Sequence, residues 1–104
     1  MRYFLFLLLL LPSFVMADVS EFIEPRFEGL RVDRCLSWGV DCDEPAAYNW
    51  CLGKGFAKAV YWELDHNVGT REPTKMLSSK QICNKPGCDA FKTIVCYKSS
   101  SQEQ

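Results

Sequence analysis

The stretch Asp43-Glu44-Pro45-Ala46-Ala47-Tyr48-Asn49-Trp50-Cys51-Leu52-Gly53-Lys54-Gly55-Phe56-Ala57-Lys58-Ala59-Val60-Tyr61-Trp62-Glu63-Leu64-Asp65 changes its apolar period partway along. In its first half Ala47, Trp50 and Cys51 recur at i, i+3 and i+4, the spacing of one helical face. The ends are punctuated as a helix requires. Asp43 or Glu44 can serve the unpaired N–H groups, Pro45 suits the first helical position, and Gly53 or Gly55 can take the left-handed stop. From Phe56 the period becomes two, with Val60, Trp62 and Leu64 on one face and Tyr61, Glu63 and Asp65 on the other, which predicts a strand. Cys51 then faces inward, where it can tether the helix to the element it covers.

Downstream, 67–73 breaks the strand and Met76 to Cys83 is expected as a second one. Asn84-Lys85-Pro86-Gly87 forms a turn, and Phe91 to Tyr97 reads as a third strand. One helix followed by short strands gives the expected class: α+β, a small disulfide-rich domain with one helix packed on a short antiparallel sheet.

Upstream, Met1-Arg2 precedes an apolar run from Tyr3 to Leu11, and Val15 and Ala17 supply the small residues of a cleavage site before Asp18. Residues 1–17 are therefore expected as a signal peptide, since a membrane-spanning helix needs roughly 20 apolar residues and a basic flank. No second stretch is long enough to span a bilayer. Residues 18–30 are charged, with Pro25 and Gly29, and are expected as an extended N-terminal arm. Residues 31–98 form the six-cysteine domain, and the polar 99–104 is expected as a disordered tail.

Cleavage removes one arginine and no acid, leaving 11 basic against 13 acidic residues, a formal charge of −2. That balance gives no electrostatic footprint for nucleic acid or an anionic membrane. Secretion would carry Cys35, Cys42, Cys51, Cys83, Cys88 and Cys96 into an oxidising compartment, where six cysteines make three disulfides. Spacing alone leaves fifteen pairings open. The preferred one links Cys51 to Cys96, with Cys35–Cys42 and Cys83–Cys88 closing local loops.

Candidate chemistry is sparse. His66 is the single histidine, and catalysis would require it to lie in a cleft beside carboxylates such as Asp65 or Asp89 and near a nucleophile. The cysteines lack the paired C-x2-C knuckles of a zinc site, and Asp41, Asp43 and Glu44 lack the spaced oxygen ligands of a calcium loop. No catalytic residue, metal or cofactor is therefore expected. Asn49, Asn67 and Asn84 all lack the x-Ser/Thr continuation that N-glycosylation needs. Among the aromatics, Trp50 and Trp62 fall on the faces expected to be buried. Trp38 in the first cysteine loop and Tyr61 on the opposite strand face remain as candidate ligand-binding residues.

The pattern Asp33-Arg34-Cys35-x-x-Trp38-Gly39-x-x-Cys42-x-x-Pro45-Ala46-Ala47-x-x-x-Cys51-x-x-x-Gly55-Phe56-x-x-Ala59 resembles a group of small secreted cysteine-rich proteins of plants, some of them embryo- or seed-associated. Ile82-Cys83 and Cys88-x-x-Phe91-x-x-Ile94-x-Cys96 look like the second half of the same group. The chain departs from that pattern at Asp43, where the group has glycine. The resemblance implies a signal peptide, an extracellular or vacuolar destination and a disulfide-bonded α+β core, and it supplies no catalytic residue. The expectation is a secreted, non-catalytic protein that accumulates or binds an extracellular protein or glycan in embryo or seed development or in defence. The alternative is a carbohydrate-binding module that uses exposed aromatics.

Overall fold

The computed structural model describes residues 17–99. The signal-peptide reading, Ala17 apart, and the tail beyond Ser99 concern residues outside that range. The elements run β1 (Ala17–Ile23), β2 (Arg26–Phe27), β3 (Leu30–Val32), β4 (Cys35–Ser37), β5 (Val40–Cys42), α1 (Glu44–Gly53), β6 (Lys58–Asp65), a 3-10 turn (Val68–Thr70), β7 (Thr74–Lys75), β8 (Ile82–Cys83) and β9 (Ala90–Ser99). They form an α+β domain with three disulfides. Helix α1 covers one face of an antiparallel three-stranded sheet ordered β1-β9-β6. A second, smaller sheet runs β2-β3-β7-β8, with β3 and β7 parallel and the other neighbours antiparallel, and β4-β5 is a separate hairpin.

Helix α1 forms where its periodicity places it. Ala46, Ala47, Trp50 and Cys51 are its buried residues. Its end is a Schellman arrangement in which Phe56 N–H donates to Cys51 O and Gly55 N–H to Leu52 O. Gly55, with φ +90°, is the residue that takes the left-handed stop, while Gly53 stays in the helix. At the other end Asp43 is the N-cap, but its side chain makes no capping bond. Its φ of 68° is a backbone that glycine adopts freely and aspartate does not.

The core gathers Val32, Ala46, Ala47, Trp50, Cys51, Phe91, Ile94 and Cys96, with Phe22, Phe56, Trp62 and Leu64 packed against it. Phe22 meets Trp50 and Phe56 edge-on, at centroid distances of 5.6 and 6.1 Å. The bridges are Cys35–Cys42, Cys51–Cys96 and Cys83–Cys88. Cys51–Cys96 joins the helix to the central strand β9, and both its cysteines are fully buried. The other two close loops of 7 and 5 residues' separation.

Four expectations need correction. Residues 18–30 are extended but are no separate arm, because β1 pairs with β9 from Ala17↔Ser99 to Ile23↔Thr93 and seats Phe22 in the core. Ser99, read as the start of the tail, is the last residue of β9. Met76 to Cys83 is a hairpin rather than a strand. Met76 N–H donates to Gln81 O, Lys80 turns with φ 64°, and the N–H groups of Ser78 and Ser79 both donate to Leu36 O. Val60 is exposed, unlike Trp62 and Leu64, because a register shift between Ala59 and Tyr61 turns Ala59 inward in its place.

Candidate functional site

Two concavities share no lining residue, and each has a tryptophan in its wall. The first, about 140 Å³, opens beside Trp38 in the β4–β5 turn, and Arg34, Cys35, Cys83, Cys88 and Asp89 help to line it. Cys35–Cys42 and Cys83–Cys88 therefore brace its two walls. Trp38 is 47% exposed, and Lys85 Nζ from the opposite loop stands 4.9 Å from its ring centroid. Gly69 sets the position of that loop. An added Cβ at Gly69 would lie 1.8 Å from Lys85 O, so no side chain fits there.

The groove is charged at its base. Asp33 is buried, accepts Thr74 Oγ1–H at 2.5 Å and Cys35 N–H at 2.9 Å. Burial pushes its carboxyl above the usual aspartate range, against the pull of those two donors and with a further push from the Asp89 charge. Asp89 goes the other way. Burial raises it, but the Asn67 N–H at 2.9 Å, His66 Nδ1 at 3.1 Å and Arg34 at 3.2 Å together outweigh burial and hold it below its ordinary value. Arg34 also makes a two-pronged contact with Asp43 at 3.0 and 2.8 Å, so it ties the start of α1 to the groove.

His66 thus meets Asp89 and not Asp65. Its side chain is 65% exposed. Among the described residues no serine, threonine or cysteine hydrogen-bonds its ring, and every cysteine is in a disulfide. Asp65 is engaged elsewhere, with Arg31 and Arg71 both at 3.2 Å. Arg31, 1% exposed, also donates to Phe91 O at 3.1 Å and lies 3.7 Å from Glu72 and 3.9 Å from Glu24. This buried guanidinium was not legible in the sequence, because Leu30-Arg31-Val32 carries no periodic signal that separates a core arginine from an exposed one. Asp43, one of the three clustered carboxylates, is paired with Arg34. Among the described residues no group of three or more potential ligands is placed to hold a metal.

Trp38 and Tyr61 do not share a site. Tyr61 stands opposite Val95 on the outer face of the three-stranded sheet, the face away from α1, and is 52% exposed. Val19 and Ile23 of β1 lie on the same outer face.

The second concavity is larger, about 300 Å³, and was not expected from sequence. Phe27, Trp50 and Leu77 supply its apolar lining, and Arg26, Glu28, Asn49 and Lys54 its polar lining. It lies where the second half of α1 faces the β2–β3 hairpin. The signal that pointed toward it was Trp50 itself, read correctly as core but not as the wall of a cleft.

Among the described residues no helix is long and apolar enough to cross a membrane. No family model matches the chain, and neither a curated protein nor a solved structure matches it. The fold and its three bridges define a class: a small, disulfide-stabilised α+β domain, compatible with an extracellular setting.

Proposed function

We propose that the chain is a secreted, non-catalytic binding protein that recognises a carbohydrate through the Trp38 groove. The observation that carries this reading is the half-exposed Trp38 ring held at the rim of a concavity whose walls are fixed by two short disulfide loops. A sugar ring presents a C–H face that stacks on an aromatic and hydroxyls that seek charged donors and acceptors. Trp38, Arg34 and Asp89 offer that combination. Fixed walls keep the ordering cost of binding small.

Secretion is supported by the leader-like residues 1–17 and by three disulfides, which persist in oxidising compartments. Cleavage after Ala17 would start the mature chain at Asp18, inside β1. In the setting that the plant resemblance implies, such a protein would act in embryo or seed development or in defence. The absence of catalysis is part of the proposal, and what favours it is that the ring of His66, the single histidine, is taken up by Asp89.

The test is a glycan array probed with the oxidised protein and with Trp38→Ala. Retention of one or more glycans by the parent, lost in a variant of unchanged circular dichroism, supports the proposal. No retention by the parent, or equal retention by the variant, refutes it.

A further inference from the structure

The larger cleft behind Trp50 has features that the fold does not require. Trp50 is 6% exposed, and its buried indole Nε1 meets no acceptor among the described residues. A buried donor left in this state costs roughly 1–3 kcal/mol. The cleft wall around it is cationic. Lys54 Nζ sits 4.6 Å from the Trp50 ring centroid and has no carboxylate partner among the described residues. Arg26 is held by Glu72 at 2.9 Å, and Glu28 is already paired with Lys75 at 2.5 Å. Lys54 is therefore the uncompensated charge of the cleft. The Asn49 side-chain amide has no hydrogen bond among the described residues and adds a neutral donor and acceptor.

We infer that this cleft is a second binding site, distinct from the Trp38 groove, and that it takes an acidic sugar unit of the hexuronate type. The apolar Phe27, Trp50 and Leu77 suit the C–H face of a pyranose ring. Asn49 and Arg26 suit its hydroxyls, and Lys54 suits a carboxylate. An apolar acid would leave Asn49 and Glu28 facing hydrocarbon, and a neutral sugar would leave Lys54 unanswered. The volume of about 300 Å³ is at the small end of ligand pockets and fits a ligand of one or two rings better than a polymer segment.

The probe is digalacturonate, with its fully methyl-esterified form as a control that keeps the rings and removes the charge. Binding to the oxidised full chain is read by calorimetry and by the indole N–H resonances of the three tryptophans. The acid is expected to bind and to shift the Trp50 signal, the ester to bind at least about tenfold more weakly, and Lys54→Gln to cost about tenfold in affinity for the acid. Trp38→Ala is expected to leave this binding unchanged, which separates the site from the groove. Absence of binding at millimolar digalacturonate overturns the inference. So does equal affinity for acid and ester, an unaffected Lys54→Gln variant, or loss of binding in Trp38→Ala.

Discussion

Removing the Cys51–Cys96 bridge should destabilise the domain far more than removing either local bridge. Cross-linking restricts the unfolded chain in proportion to the logarithm of the loop it closes. The three separations are 45, 7 and 5 residues. On the chain-entropy relation these correspond to about 4 kcal/mol for Cys51–Cys96 and about 2 kcal/mol for each of the others. A domain of this size has a total stability of only about 5–10 kcal/mol, so the first loss takes a large share of it. At about 4–8 °C per kcal/mol, the melting temperature should fall by roughly 15–30 °C for Cys51→Ala/Cys96→Ala, and by roughly half that for the Cys35/Cys42 and Cys83/Cys88 pairs. Replacing both cysteines with alanine in every case keeps side-chain removal common to all three variants. The assay is urea denaturation and thermal melting followed by circular dichroism. Equal losses in the three variants, or a Cys51/Cys96 loss no larger than about 2 kcal/mol, would refute the idea that the helix-to-sheet bridge is the main covalent constraint.

Gly69→Ala should cost about 1–3 kcal/mol in urea denaturation, because its Cβ would meet Lys85 O at 1.8 Å and force the 84–88 loop to shift. Asp43→Gly should be stabilising by about 1 kcal/mol in the same assay, since relief of a φ of 68° outweighs loss of a half-exposed ion pair to Arg34. The pH dependence of stability should combine two carboxyls of opposite sign. Asp33, raised in the fold by burial, contributes stability that is full below its ordinary pKa of 3.8 and declines as pH rises through its higher folded value. Asp89, where burial is outweighed by the Asn67, His66 and Arg34 donors, contributes stability above 3.8 that is lost as pH falls through its lower folded value. Asp33→Asn should therefore flatten the decline above about pH 4, and Asp89→Asn the loss below it, in denaturation midpoints measured from pH 2 to 7.

The helix, the third predicted strand and the Trp62 and Leu64 faces were legible because each rests on a local period: Ala47, Trp50 and Cys51 at helical spacing, and alternation after Phe56. Strand β1 was not. Its inward residues are Ser20 and Phe22 while Val19 and Ile23 face out, so the apolar majority lies on the wrong side for a strand signal. Val60 was misread for a related reason: a register shift reverses the facing of a single residue, and nothing in Ala59-Val60-Tyr61 announces it. The Met76–Cys83 segment is dominated by tertiary contacts, above all the Ser78 and Ser79 bonds to Leu36 O. For the site, Trp38 could be singled out because a loop aromatic in a small domain has few places to bury itself. The Lys85 contact, the Arg34–Asp89–His66 cluster and the Trp50 cleft join residues far apart in sequence, and composition does not encode those meetings. Asp43 is a further case, since nothing in Cys42-Asp43-Glu44 announces its positive φ of 68°.

The most direct measurement of the central claim is a titration of the oxidised protein with neutral oligosaccharides of glucose, mannose and N-acetylglucosamine, following the three indole N–H signals separately. Binding at the groove predicts that the Trp38 signal moves with at least one sugar while that of Trp62 stays fixed. Three unmoved signals across the panel, or movement of Trp62 without Trp38, would contradict it.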